Sequence, residues 1–136
     1  MPNYWILKTE PSTYSYADLE REGKTVWDGV KNLFALRNMS QMKPGDPVLI
    51  YHTGNEKAVV GRAEVAAPPY PDPKKGDPKL LVVELVPKGR VPRPVTLAQI
   101  KADKTFTDNA LVRQGRLSVV AATPMHWKRL LELAGA

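Results

Sequence analysis

Short apolar runs separated by turn signals run along the whole chain, and the period of each run predicts its element. Tyr4-Trp5-Ile6-Leu7-Lys8-Thr9 is β-branched and aromatic and is closed by Glu10-Pro11, which makes it a first, largely buried strand. Ser15 with Asp18 three positions on has the form of a capping box, Tyr16 and Leu19 share a helical face, and Gly23 stands where a helix stops. A short helix is predicted at about residues 15–22. From Asn32 to Met42 there is no Gly or Pro, and Ala35, Met39 and Met42 recur at i, i+4 and i+7, a second helix. Lys43-Pro44-Gly45-Asp46 then turns the chain into a strand at 47–53, followed by a hairpin partner at 58–65. Gly61 inside that partner predicts a bulge or the close approach of another group.

Eight of the 13 prolines fall between Pro68 and Pro94, flanking Leu80-Leu81-Val82-Val83-Glu84-Leu85-Val86, a pattern that predicts one buried strand between irregular loops. Thr96 opens a short helix carrying Leu97 and Ile100, and Leu117-Ser118-Val119-Val120 has the form of a last strand. Thr123-Pro124 supplies an N-cap and a first-turn proline, after which Trp127, Leu130, Leu131 and Ala134 mark a terminal amphipathic helix. Its spacing assigns Trp127 to packing. Strands with helices inserted after the first strand and at the end predict an α+β fold, a small strongly curved mixed sheet or barrel partly covered by helices. The concave mouth of such a sheet is a natural pocket.

Length adds that residues 1–136 are of single-domain size and long enough for a core without staples. The absence of cysteine excludes disulfides, thiolate catalysis and Cys-based zinc sites, and His52 with His126 are too few imidazoles for most transition-metal sites, so neither metal nor cofactor is expected. No apolar run approaches membrane length and no basic segment leads into an apolar one near Met1, so a soluble protein that stays where it is made is expected: cytoplasmic, or nuclear in a eukaryotic source. The formal charge of +6 is uneven. Residues 1–60 hold 7 Lys/Arg against 7 Asp/Glu, and residues 61–136 hold 13 against 7. A concentrated positive field suits a polyanion, nucleic acid above all, provided that Lys74, Lys75, Lys79, Lys88, Arg90, Arg93, Arg113 and Arg116 share a face.

The run Thr25-Val26-Trp27-Asp28-Gly29-Val30-Lys31-Asn32 sets a large flat aromatic beside a carboxylate and an amide. An aromatic face stacks on a base at roughly 1–3 kcal/mol, and carboxylates or carboxamides bond a base edge, so the combination suits an extruded or single-stranded nucleobase. The reading that needs no ligand is that Trp27 fills core and Asp28-Gly29 makes a turn.

Several ordered motifs also resemble a known family. Tyr4-Trp5-Ile6-Leu7-Lys8-Thr9-Glu10-Pro11-Ser12, Val26-Trp27-Asp28-Gly29-Val30-Lys31-Asn32, Met42-Lys43-Pro44-Gly45-Asp46, Tyr51-His52-Thr53, Val60-Gly61-Arg62-Ala63-Glu64-Val65, Tyr70-Pro71-Asp72 and the stretch from Leu111 to Val119 together are similar to an EVE domain over nearly the whole chain. The resemblance implies a PUA-like fold, a twisted barrel of five or six strands flanked by short helices, related to the YTH domains that hold methylated adenine in an aromatic cage. It implies a reader of modified bases. Trp27 becomes a cage wall and Asp28 an edge contact, Lys8, Thr9 and Glu10 come from the end of the first strand, Asn32 from the following helix, and Tyr51 with His52 from the hairpin. Glu10 or Asp28 can accept from an exocyclic amine and Asn32 offers both donor and acceptor. Arg37, Arg62, Arg113, Arg116, Lys74 and Lys75 are the candidate phosphate contacts. Gly115 stands between the two arginines where the family more often has a serine-like residue.

The leading expectation is therefore a binding module for nucleic acid carrying a modified base, a modified cytosine in DNA or a modified base in RNA, with weak self-association at most. Two other classes stay open. One is a small amidohydrolase acting on modified nucleosides, as in the related ASCH fold, using Lys8, Thr9 and Glu10. Strand alternation sets Thr9 on the opposite face from the other two unless the chain turns there. The other is an RNA-binding accessory factor.

Overall fold

The structure, a computed structural model, describes residues 3–136. Its chain order is β1 (Tyr4–Thr9), α1 (Tyr16–Glu22), β2 (Thr25–Trp27), α2 (Leu33–Ser40), β3 (Pro47–His52), β4 (Ala58–Val65), β5 (Tyr70–Pro71), β6 (Leu81–Thr96), α3 (Leu97–Ala102), a single 3₁₀ turn (Lys104–Phe106), α4 (Ala110–Arg113), β7 (Val119–Ala122) and α5 (Pro124–Ala134). The strands form one mixed sheet in the order β2-β6-β4-β3-β1-β7, with the two-residue β5 added to β6. Among the described residues β1 and β3 are the one parallel pair, and the remaining pairs are antiparallel. This is an α+β, PUA-like fold: a curled half-barrel partly covered by short helices.

Local chemistry explains why the elements start and stop where they do. Ser15 and Asp18 close a reciprocal capping box on α1, and Gly23 ends it at φ 72°, a conformation that favours glycine. Thr96 and Gln99 cap α3 in the same way, and Thr123 with His126 caps α5. The turn at Lys43–Asp46 is held by a buried carboxylate, because Asp46 accepts from the Asn3 and Lys43 N–H groups and from the Trp5 indole at 3.0 Å. The Trp5 indole N–H is buried and would otherwise be left without a partner in the interior. Ile6, Leu7, Leu49, Ile50, Val59, Leu85 and Val119 of the strands belong to one buried apolar cluster with Leu19, Ala35, Met39 and Leu130 of the helices, so the core draws on both faces of the sheet. Trp127 packs as its spacing predicts, stacked on Tyr4 at a centroid distance of 5.0 Å.

Gly61 meets both expectations. The register of β4 slips at this point against β3 and against β6, and a Cβ on residue 61 would overlap the ring of Tyr16, 2.6 Å from its Cδ1. That ring is fully buried and tied at its far end, its hydroxyl donating to the Arg62 carbonyl at 2.6 Å and accepting from the Gly89 N–H at 3.0 Å.

The proline-rich stretch departs from expectation. The irregular loop predicted after Val86 is instead a continuous strand, since β6 runs on through Pro87, Pro92 and Pro94 to Thr96. Proline removes a ladder donor, yet the register against β4 is itself irregular over this half of β6, and proline is tolerated in a strand at such bulges. Lys88, Arg90 and Arg93 are consequently strand residues. Lys88 faces Glu64 at 3.9 Å and Arg90 pairs with Glu20 at 2.9 Å, which assigns two of the basic residues to internal ion pairs.

Candidate functional site

Strand β1 stops at Thr9 because Pro11 cannot continue the ladder, and the chain folds over its own end. Thr13 and Tyr14 both donate their N–H to the Glu10 carbonyl at 2.9 Å, and the Thr9 hydroxyl donates to the Tyr14 carbonyl at 2.7 Å. This turn lays the Tyr14 ring edge-on to Trp27, at a centroid distance of 5.9 Å and 89°. Trp27 in turn is fixed by β2, where Thr25, Val26 and Trp27 pair with Leu85, Glu84 and Val83. Beyond it Gly29 takes φ 78°, swinging the chain out toward Asn32, whose side chain caps α2. Between these two walls lies a cavity of ≈ 600 Å³. Lys8, Thr9, Glu10, Thr13 and Tyr14 form one side, residues 25–31 the other, and Ser118, just before β7, closes it.

The polar groups on this cavity are differently committed. Lys8 donates from Nζ to the Gly115 carbonyl at 2.9 Å and stands 5.6 Å from the centre of the Tyr51 ring, and burial pushes its pKa below the ordinary 10.5. The Glu10 carboxylate accepts from the Ser12 N–H at 3.2 Å, the Ser12 hydroxyl at 3.0 Å and the Thr53 hydroxyl at 3.3 Å, and these bonds, the Ser12 N–H first, hold it below the usual carboxylate range. Burial, reinforced by the hydrogen bond to Glu22, pushes the Tyr14 phenol up to about 12. Tyr14 is a neutral donor throughout the physiological range. Asp28 and Lys31 are exposed, one of each sign, on the rim.

Of the residues singled out in the sequence, Lys8, Thr9, Glu10, Trp27 and Asp28 come together on this cavity. Thr9 joins them because the strand ends there, the exception that alternation allowed. Asn32, Tyr51 and His52 lie off its wall. The Asn32 side-chain oxygen is taken up by the N–H groups of Phe34 and Ala35, at 2.9 and 3.1 Å. Tyr51 is buried in β3 beneath Lys8. His52 accepts from the Tyr16 N–H at 3.0 Å through Nε2 and faces Glu56 Oε1 at 2.7 Å through Nδ1, tying α1 to the hairpin.

The candidate phosphate contacts are dispersed. Arg116 is exposed on the loop whose Gly115 carbonyl holds Lys8, and Arg113, also exposed, donates from Nε to the Thr107 carbonyl at 3.0 Å. Arg37 is exposed on α2 beside a second hollow of ≈ 590 Å³, bordered also by Phe34, Asn38, Asn109, Gln114 and His126. Lys74 and Lys75 are exposed in the turn between β5 and β6, where the Lys74 N–H donates to Asp72 at 2.9 Å. Arg62 is half-buried in β4, its Nε out of solvent without a hydrogen-bond partner. Sequence reasoning missed Tyr14, Val26, Lys31 and Ser118 as wall residues. The signal for Tyr14 was present, since Pro11 had to turn the chain back over the strand end.

The family model of the EVE domain matches residues 3–133. The chain belongs to the EVE domain family. This EVE domain is 36% identical to a protein of Rhodopseudomonas palustris whose NMR structure superposes with a TM-score of 0.92, over 98% of this chain and 93% of that one. Thymocyte nuclear protein 1 of Rattus norvegicus is 32% identical over 93 residues, which cover 57% of this chain and 41% of the rat protein; the match thus spans less than half the length of that relative. Human THYN1 protein, solved in complex with 5-methylcytosine-containing DNA, superposes with a TM-score of 0.90 over 98% of each chain at 24% identity, a likeness of fold.

Proposed function

We propose that this EVE domain is a reader that takes one modified nucleobase, a modified cytosine in DNA, out of its stack and into the cavity beside Trp27, and does no chemistry on it. The observation that carries this reading is the pairing of aromatic wall and polar rim around a hollow of ≈ 600 Å³, inside the roughly 300–1,000 Å³ range of small-ligand pockets. Trp27 supplies the stacking face and Tyr14 buttresses it. Asp28 is the freer acceptor for the exocyclic amine of a cytosine, because Glu10 already receives three hydrogen bonds. Lys8 keeps one N–H on Gly115 and has two more for a base carbonyl. Asn32, Tyr51 and His52 act one step back, as helix cap, floor and brace. Lys31 on the rim and Arg116, next to the Gly115 that holds Lys8, face the flanking phosphates, and Arg113, Lys74, Lys75 and Arg37 meet the backbone further from the base. The shared fold with a human protein seen on 5-methylcytosine-containing DNA supports this choice of partner.

A methyl group adds about 0.8 kcal/mol of apolar burial, roughly a fourfold preference. Larger selectivity requires that the unmodified base leave a polar group without a partner. The test is titration of matched strands carrying cytosine or 5-methylcytosine while following indole fluorescence, with a parallel pair differing only in the 2′-hydroxyl to separate DNA from RNA. Saturable quenching with preference for the modified DNA strand is expected. Equal affinity for both bases sinks the reader.

One observation favours a second reading, an amidohydrolase: Lys8, Thr9 and Glu10 all border the cavity. Each is hydrogen-bonded elsewhere, to Gly115, Tyr14 and Ser12 respectively, and not to one another. Turnover of an acylated cytidine, lost in Lys8→Ala and Glu10→Ala, would establish the enzyme.

A further inference from the structure

Among the described residues four large apolar side chains are left well exposed, and three of them, Val26, Leu33 and Phe34, at 48%, 74% and 65%, fall between residues 26 and 34. This is the segment that carries one wall of the cavity. Folding does not require them outside: α2 buries Ala35, Leu36 and Met39, and Asn32 caps its first turn whatever side chains follow. Val26 and Lys31 border the cavity, and Leu33 stands no more than about 7 Å of chain beyond Lys31. Phe34 and Arg37 border the second hollow. The first turn of α2 is therefore an apolar ridge between two depressions, with a cation at residue 31 on one side and another at residue 37 on the other.

Extruding a base from a duplex leaves a gap in the stack and an unpaired partner base, and proteins that kink or open duplexes fill such gaps with Phe, Leu, Ile or Met. Resting on the reader assignment above, we infer that Leu33 and Phe34 form a wedge that enters the stack of duplex DNA and occupies the space left by the base held against Trp27. Lys31 and Arg37 hold the phosphates on either side of it. An apolar pair set between two cations, on a chain of formal charge +6, complements stacked bases inside a polyanionic backbone better than it complements an apolar protein face.

Wild type, Phe34→Ala and Leu33→Ala are compared on three probes: a short duplex with one central 5-methylcytosine, the same strand alone, and that duplex with a mismatch opposite the methylcytosine. The wild-type preference for methylcytosine on the single strand tests the reader assignment alone, because no gap needs filling there. The wedge requires that Phe34→Ala weaken duplex binding on the order of tenfold or more, leave single-strand binding within about twofold, and recover part of the loss on the mismatch, whose base is already unpaired. A 2-aminopurine beside the methylcytosine should brighten with wild type and stay dark with Phe34→Ala. Equal losses on single strand and duplex overturn the wedge, and so does unchanged duplex affinity, which would assign the ridge to a protein partner. Both side chains face solvent, so thermal midpoints of the variants should match wild type.

Discussion

Trp27 is only 8% exposed, so replacing it perturbs folding and binding together, and magnitude has to separate them. A buried Trp covers roughly 150–250 Å², about 4–6 kcal/mol at ~25 cal/mol per Å², and Trp→Ala in cores costs ~3–5 kcal/mol. Against a domain stability of about 5–15 kcal/mol, Trp27→Ala leaves a protein close to its folding threshold, and lost binding in that variant would report little. Trp27→Leu is the cleaner change. It keeps apolar filling, removes the π-face, and is expected to cost about 1–3 kcal/mol. With an unfolding entropy of ~2.1 cal/mol/K per residue over 136 residues, that is a fall in Tm of about 4–10 K. Loss of stacking adds roughly 1–3 kcal/mol to the binding free energy, a rise in Kd of about 5- to 150-fold. Circular dichroism fixes the temperature at which the variant is still fully folded, and anisotropy of a labelled methylcytosine strand at that temperature gives Kd. A folded Trp27→Leu that binds every strand with wild-type Kd would falsify the stacking role, however well the cavity is shaped.

Three other outcomes follow from named contacts. Gly61→Ala drives a Cβ into Tyr16, which cannot withdraw without giving up its bonds to Arg62 and Gly89; a loss of about 2–4 kcal/mol by urea denaturation is expected, and near-neutral behaviour would mean the ring moves freely. Asp103 is held below its ordinary 3.8 by Arg129, with the Thr105 N–H contributing, so as pH falls the unfolded chain takes up this proton first; its contribution is complete above 3.8 and is lost as pH drops through the lower folded value. Asp103→Asn should therefore flatten the acid limb of urea midpoints measured from about pH 6 to about pH 2, and an unchanged limb would remove the ion pair from the account. Arg113→Ala and Arg116→Ala should weaken binding to all sequences alike and each reduce the salt slope by about 1, whereas altered base preference with an intact slope contradicts a phosphate role.

Local rules made much of the fold legible. Capping at Ser15, Thr96 and Thr123, the apolar period at Ala35, Met39 and Met42, and the glycine inside β4 each predict a feature from residues that touch one another in sequence or by a fixed period. What local rules could not supply is pairing between distant strands. Proline at 87, 92 and 94 argues against a strand by propensity, and only the irregular register against β4, a tertiary fact, makes room for it. The short β2 was invisible for the same reason, since its three residues are a strand only because β6 lies beside them. The cavity shows the same division. Lys8, Glu10, Trp27 and Asp28 stand out by type, but Ser118 and Lys31 carry no local mark, and Asn32 and His52 were attractive by type alone because a sequence does not show which polar atoms are already bonded.

The cavity exists because the sheet does not close. Strands β2 and β7 end the hydrogen-bonded order, and a barrel that joined them would fill the gap with side chains, as small barrels do. Against the free edge of β7 lies α2, its Asn38 amide donating to the Val119 carbonyl at 2.8 Å and so satisfying an edge group that a neighbouring strand would otherwise bond. The arrangement leaves the ends of β1, β2 and β7 around one hollow, with Trp27, Lys8 and Ser118 contributed from three distant parts of the chain. The first turn of α2 begins two residues past Lys31 of the cavity wall, and Leu33 and Phe34 face outward there. The segment that leaves β2 and enters α2 thus supplies one wall of the pocket and the ridge beyond it. Asn38→Leu, which removes the edge bond while keeping side-chain bulk, should accordingly loosen α2 from β7, and hydrogen exchange should show lost protection in the two together; loss in only one of them would mean that this bond does not couple the helix to the strand edge.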